Sequence, residues 1–278
     1  MKNILIPTDL SQNSCNALAY TIKLFGDNPV NFYVVYVDNL APSEVVGNTI
    51  ILPAKKQLEY SGTKEKLKAF MVRVAGLSTF PGHQFIAMHF IGNRISNLRK
   101  IVAEKKIDFI ALGIENCSTV KSSDIGNNTW EIITKIACNT LIIPENALIT
   151  FPKQIIFPTN YHIFFSHKIL QSFTEILELS KSKLQVLNIL SSKIKPTSDQ
   201  ENNRIYFEDY LEESYQNGYF LHTTHKSDVC TAIERYLTNH DADMVVLVAR
   251  NLNFMHKLFF HTTPLQLLHP LPILVLHE

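Results

Sequence analysis

Lys2-Asn3-Ile4-Leu5-Ile6-Pro7-Thr8-Asp9 opens the chain, and Lys153-Gln154-Ile155-Ile156-Phe157-Pro158-Thr159-Asn160 reopens it near the middle. Each stretch is an apolar run closed by Pro-Thr and a small polar residue. The echo continues further on. Ile107-Asp108-Phe109-Ile110-Ala111-Leu112-Gly113 is matched by Ala242-Asp243-Met244-Val245-Val246-Leu247-Val248-Ala249. Asn139-Thr140-Leu141-Ile142-Ile143-Pro144 is matched by Leu271-Pro272-Ile273-Leu274-Val275-Leu276. Three matches in one order indicate duplication, at a period far longer than a solenoid repeat, so each copy is expected to be a whole domain. Function is expected to have diverged where the second copy has changed.

A chain of 278 residues accommodates two domains, each of roughly 140 residues. The natural division is 1–147 and 148–278. Hydrophobic residues make up 46% and charged residues 18%, enough apolar material for two cores. A formal net charge of +1 offers no strong field to nucleic acid or an anionic membrane, so neither is expected as a partner. Cys15, Cys117, Cys138 and Cys230 show no C-x-x-C or metal-ligand spacing and read as reduced thiols of a cytosolic protein. The first residues enter a strand pattern at once, and no run of about 18 apolar residues occurs. Neither a signal peptide nor a membrane span is therefore expected.

The apolar run Asn3–Ile6 predicts a buried strand, and Ser11 an N-cap for a helix to Phe25, where Gly26-Asp27-Asn28-Pro29 stops it. Asn31–Val37, His83–Phe90, Phe109–Leu112 and Thr140–Ile143 supply the other strands of the first copy. Helices are expected over Ala54–Val74, Arg94–Lys105 and Asn128–Ile136, with Asp38–Pro53 as a loop. The second copy repeats the order, with strands near Gln154–Phe157, Leu184–Leu190, Tyr219–Thr223, Met244–Val248 and Ile273–Leu276. Its helices are expected near Ser166–Leu179, Asn203–Gln216, Val229–Thr238 and Met255–Leu268, and Ser191–Asn203 reads as a polar, mobile connection. Alternation of strands and helices, with right-handed crossovers, makes each copy a doubly wound α/β domain around a five-stranded parallel sheet. The short junction between Pro144 and Pro152 should hold the copies together.

Ligands of open α/β sheets sit beyond the carboxyl ends of the strands, where strand order reverses. That brings together the exits of the first and fourth strands, Pro7-Thr8-Asp9 and Gly113 onward. These residues carry a family likeness: the chain resembles a tandem universal stress protein, two family domains over essentially its whole length. The family's first strand exits into Pro-Thr/Val-Asp. Its fourth runs into Gly-x2-Gly-x9-Gly-Ser/Thr before the last helix. The resemblance implies an adenine nucleotide alpha-hydrolase-like fold, with the two domains paired along their fifth strands as a pseudo-dimer. In nucleotide-binding members the glycine loop holds ATP phosphates, while the acid after strand one and backbone groups after strand two hold adenosine. The resemblance thus implies ATP, with magnesium, as a ligand of the first copy. Pro7, Thr8, Asp9 and Val37 would lie toward adenosine, and Gly113, Asn116, Gly126, Asn127, Asn128 and Thr129 toward phosphate.

The glycine motif fits in part. Gly113 fills its first position, Asn116 replaces the second glycine, and Gly126 fills the third, followed by Asn127-Asn128-Thr129. Gly126 would let a phosphate approach the backbone, and the next three amides would open a helix whose N-terminus favours an anion. Asn116 tolerates the left-handed conformation a turn would need, and Lys121 stands within reach of a phosphate. In the second copy the loop reads Ala249-Arg250-Asn251-Leu252, with Thr262-Thr263 ten residues past Leu252. All three glycines are gone, Asn160 replaces the acid, and Phe254, Phe259, Phe260 and Pro264 add bulk. A Cβ at each former glycine would crowd a phosphate, so nucleotide binding is expected of the first copy alone.

A plainer reading of the same residues stays open. Asp9 serves equally well to cap the helix near Ser11, and Gly113 and Gly126 as turn glycines. Trp130 reads as a core or interface residue, and Cys15 as a small core residue. Nine of the 11 histidines follow residue 160. His222 and His225 fall on opposite faces of a strand, and His256, His261 and His269 lack i, i+4 spacing, so no metal site is expected. No Walker loop, G-x-S-x-G, H-E-x-x-H or C-x-x-C occurs, and no catalytic residue is assigned. An enzyme is not expected, with slow ATP hydrolysis left open.

Two functions therefore stand side by side: a stress-response sensor that binds an adenine nucleotide in its first copy, and a stress-response protein that binds no nucleotide and acts through unknown protein partners. An apolar ligand held by the Phe-rich loop of the second copy is a third reading. Leu141–Ile143 and Ile273–Leu276 are short, apolar and terminal, which suits a pair of edges that cover each other within the chain. Homodimerisation beyond that pair stays open.

Overall fold

Residues 4 to 8 are buried without alternation, as a strand covered on both faces requires. The computed structural model describes residues 1–38, 45–46, 49–50, 54–114, 124–190, 195–215, 217–225, 229–250 and 271–278. The first half runs β1 (Lys2–Thr8), α1 (Gln12–Phe25), β2 (Val30–Asp38), a small ribbon of β3 (Val45–Val46) and β4 (Thr49–Ile50), α2 (Ala54–Ala75), β5 (His83–Ile91), α3 (Arg94–Glu104), β6 (Phe109–Ile114), α4 (Asp124–Lys135) and β7 (Asn139–Pro144). The second half runs β8 (Gln154–Thr159), α5 (His167–Ser180), β9 (Lys183–Leu190), α6 (Ser198–Ser214), β10 (Tyr219–His225), α7 (Val229–Asn239), β11 (Met244–Val248) and β12 (Ile273–Leu276).

Ten strands form one sheet in the order β10-β9-β8-β11-β12-β7-β6-β1-β2-β5. Every neighbouring pair in it is parallel except β12 with β7, where Ile273, Leu274 and Val275 lie antiparallel to Ile142, Leu141 and Thr140. The expected pairing of fifth strands is therefore present, and each covers what would be an open edge of the other. One large apolar cluster runs from Ile4 and Leu18 through Leu141 to Leu170 and Leu276, so the halves share a core.

The same hydrogen bonds recur in both halves. Asp108 Oδ2 accepts from the Asn3 N–H at 2.8 Å while the Asp108 N–H donates to the Asn3 carbonyl at 2.8 Å. Asp243 Oδ2 accepts from the Gln154 N–H at 2.9 Å while the Asp243 N–H donates to the Gln154 carbonyl at 2.8 Å. Each aspartate stands one residue before a fourth strand and pins it to the start of a first strand.

Two helix starts differ from the sequence expectation, and the β3–β4 ribbon lies within the stretch expected as a loop over Asp38–Pro53. α6 begins at Ser198 rather than Asn203, because Thr197 and Gln200 form a capping box, Thr197 Oγ1 accepting from the Gln200 N–H and Gln200 Oε1 from the Thr197 N–H. α4 begins at Asp124 rather than Asn128. A single glycine weakens a helix by only about 1 kcal/mol, and an acid is favoured in the first turn, so Gly126 lies inside α4 instead of preceding it. The helix expected over Met255–Leu268 lies outside the described residues, as do Asn116 and Lys121.

Candidate functional site

The chain leaves β1 through a turn built from its own side chains. Thr8 Oγ1 accepts from the Leu10 N–H at 2.9 Å, and Asp9 Oδ1 accepts from the Ser11 N–H at 3.0 Å and the Ser14 hydroxyl at 2.8 Å. These bonds hold Leu10 at φ 66°, a left-handed conformation unfavourable for leucine. Ser11 then caps α1, its Oγ accepting from the Ser14 N–H at 3.3 Å. The second half builds the same turn: Thr159 Oγ1 accepts from the Tyr161 N–H at 3.1 Å, Asn160 Oδ1 from the His162 N–H at 3.2 Å, and Tyr161 has φ 55°. Asn160 thus keeps the turn without the charge. Burial pushes the Asp9 carboxyl upward, but its hydrogen bonds from Ser11 and Ser14 outweigh this and hold it below the usual carboxylate range.

At the carboxyl ends of β1, β2 and β6 lies a cavity of about 320 Å³, at the lower end of the range of small-molecule pockets. Pro7, Thr8 and Asp9 form its floor, Val35, Tyr36 and Val37 one wall, and Leu112, Gly113 and Ile114 another, with Asn128 and Thr129 of α4 above. The structure therefore brings together seven residues singled out in the sequence: Pro7, Thr8, Asp9, Val37, Gly113, Asn128 and Thr129. Gly126 and Asn127 lie in the first turn of α4, just ahead of Asn128. Gly113 has a structural reason to be glycine, for a Cβ there would stand 2.1 Å from the carbonyl oxygen of Asn13 in α1.

Among the lining residues that the sequence did not single out are Tyr36 and Arg94. Tyr36 packs edge-on against His89, ring centroids 5.6 Å apart, and His89 Nε2 contacts Asp38 Oδ2 at 2.6 Å. Arg94 opens α3 directly after β5. Burial lowers its pKa from the ordinary value, while the charges of Asp9 and Glu131 act in the opposite direction. The rule that led to the β1 and β6 exits applies equally to β5, and Gly92-Asn93-Arg94 would have been found by extending it.

The equivalent position in the second half is nearly filled. Between Phe157, Thr159, Phe165, Leu247 and Val248 the space is about 20 Å³. Ser166 takes the N-cap position of α5 seven residues after Thr159, without a side-chain capping bond, whereas Ser11 caps α1 three residues after Thr8. The extra residues carry Phe165 inward, 5.3 Å from both Phe157 and Phe207 between ring centroids. α6 ties this segment down, the Gln200 and Asn203 amides donating to the Asn160 and Tyr161 carbonyls at 2.7 and 2.9 Å. Among the described residues no group of three or more His, Cys, Asp or Glu side chains is placed to hold a metal ion, and no helix is long and apolar enough to cross a membrane.

Residues 1–144, ending with β7, match the model of a family described as the universal stress protein family. Among solved structures, a universal stress protein from Archaeoglobus fulgidus is 16% identical over 99% of this chain and 98% of that one, with a TM-score of 0.69. The cytoplasmic domain of a prokaryotic cation chloride cotransporter is 10% identical over 100% and 95%, with a TM-score of 0.54. A functionally unknown protein from Pseudomonas aeruginosa is 13% identical over 99% and 92%, with a TM-score of 0.51. At such identities the likeness is one of fold alone. No curated protein matches the chain.

Proposed function

Because this chain belongs to the universal stress protein family, we propose that it is a stress-response regulatory protein of the cytosol that binds ATP or another adenine nucleotide within residues 1–147. Residues 148–278 serve as its structural partner. The observation that carries this reading is the contrast between the two halves: about 320 Å³ of space in the first and about 20 Å³ at the same place in the second. The first-half cavity combines an apolar wall at Val35 and Val37 with Asp9, Tyr36 and Arg94, a mixture suited to a ring with polar edges attached to an anion. Among its described lining residues Asp9 is the one carboxylate, and the turn already holds it, which supports binding rather than catalysis and offers magnesium no ready protein site.

α4 supplies a route from the cavity to the rest of the molecule. Thr129 lines the cavity, while Trp130 and Ile133 pack with Ile142, Ile156, Val245 and Val275, most of them in the second half. A ligand that pulls on the start of α4 would therefore shift the packing between halves.

The test is to heat-denature natively purified protein, identify the released small molecules by mass spectrometry, and titrate the emptied protein with ATP and with AMP by calorimetry. Near-stoichiometric adenine nucleotide, or micromolar binding lost in Gly126→Asp with the fold intact, is the expected result. One observation favours a second reading, a protein that acts through protein partners without a nucleotide: Asp9 and Gly113 each have a structural task, in the turn and under α1. Absence of both nucleotide and heat of binding would select it.

A further inference from the structure

We infer that the anion-recognising group of the first-half cavity is Arg94, and that the ligand it selects is a nucleoside carrying one phosphate rather than a triphosphate. This rests on the nucleotide reading above and assigns the phosphate end of the site. The backbone leading into Arg94 is fixed: Gly92, at φ 112°, donates its N–H to the Asp38 carbonyl at 2.8 Å, and Asn93 caps α3 by accepting from the Ser96 N–H at 2.9 Å. Arg94 lines the cavity, partly removed from water, and no ion pair or hydrogen bond joins it to the residues described through their side chains. A guanidinium keeps its charge under such conditions, and its two parallel donors match phosphate oxygens. A charge drawn from water without a direct partner is unfavourable, and a bound anion relieves this.

Charge and backbone geometry set the class of ligand. Arg94 and Asp9 are the two charged residues among the described residues lining the cavity. Glu131, near enough to affect Arg94, is itself paired with Lys135. Arg94 is the one cation among the described lining residues, so it offsets part of the charge of a single phosphate and leaves the larger charge of a triphosphate unmatched. The place where further phosphates would bind is also altered. α4 starts at Asp124, so Gly126 is part of the helix instead of an open loop that could cradle further phosphates.

The test is calorimetry of the emptied full-length protein with adenosine, AMP, and ATP with magnesium, using wild type, Arg94→Met and Arg94→Lys, each checked for a cooperative melt. AMP is expected to bind more tightly than ATP, and more tightly than adenosine by about tenfold or more. Arg94→Met should bring AMP to the level of adenosine and leave adenosine unchanged, with Arg94→Lys in between. If Arg94→Met does not melt cooperatively, Arg94→Gln replaces it. ATP binding as tightly as AMP, or AMP affinity unchanged without Arg94, overturns this inference and leaves the nucleotide reading standing. Failure of all three compounds to bind the wild type overturns the nucleotide reading itself.

Discussion

Gly113 lies so close to Asn13 that a Cβ on it would stand 2.1 Å from the Asn13 carbonyl oxygen and 2.4 Å from its carbon. Both groups are backbone, one on β6 and one in the first turn of α1, so neither can swing aside. The glycine lets α1 begin immediately after the β1 turn and lie across β6. In the second half Val248 stands five residues after Asp243, as Gly113 does after Asp108, and α5 there starts later. Loss of this glycine, a longer β8–α5 connection and a closed pocket go together.

Gly113→Ala should therefore destabilise the protein by about 1–3 kcal/mol, the usual penalty for overpacking. Gly62→Ala is the control of opposite sign. Gly62 lies within α2, and a Cβ added to it would meet nothing within 4 Å, so alanine should stabilise by roughly 0.5–1 kcal/mol. Urea unfolding of the two variants checks both. Equal effects in the two would remove the α1–β6 explanation.

Asp9→Asn should leave stability at neutral pH nearly unchanged, because Asn160 shows that an amide oxygen holds the same turn. Asp9→Ala removes the acceptor and should cost about 1–2 kcal/mol. The hydrogen bonds hold the Asp9 carboxyl below its ordinary pKa. Its contribution is therefore fully present above the unfolded-state value and lost as pH falls through the folded one. Asp9→Asn should flatten that acid limb in urea titrations between pH 5 and 2, roughly the carboxylate range. An unchanged limb would show that Asp9 contributes nothing through its charge.

His277 carries a second pH dependence at the contact between halves. Its backbone N–H donates to Asn139 Oδ1 at 2.9 Å, and its buried Nε2 has no partner among the described residues. Burial, assisted by the charge of Lys168, pushes its pKa down to about 4. The unfolded chain titrates near 6.5, so between these values it binds more protons than the folded protein does. Stability should be full above pH 6.5 and fall toward pH 4, by roughly 2 kcal/mol once the ring's remaining contact with water is discounted. His277→Gln should lose that slope while other slopes persist.

The alternation of strands and helices was legible because buried parallel strands are apolar on both faces, and Ile4–Thr8 and Leu141–Ile143 carry that mark. The β7–β12 pairing was legible for the same reason: two short apolar strands without a polar face need cover. The cavity was legible through the exits of strands one and four, and through Val37 after strand two by the family resemblance. Arg94 and Tyr36 reach it from β5 and β2, and no motif spacing announces a side chain whose importance lies in where a third strand ends. The α4 boundary was misread because Gly126 was read as a loop glycine ahead of the helix, when one glycine in a first turn is tolerated. Gly113 was recognised as necessary for a reason the structure supplements, since a close helix approach and a phosphate loop make the same demand on a sequence.

The last prediction concerns β7. Leu141, Ile142 and Ile143 are at most 2% exposed, against β12 on one side and β6 on the other. Residues 1–147 expressed alone would keep the first-half cavity but turn β7 into an open apolar edge, a template for pairing with another strand. The fragment should therefore form a dimer in which two β7 strands pair antiparallel, and light scattering across a concentration series should follow its dissociation. In the full chain Leu274→Ala, opposite Leu141, should cost about 2–5 kcal/mol. A fragment that stays monomeric and folded would mean that the β7 edge needs no cover. The second half would then owe its place to something other than the contact it makes there.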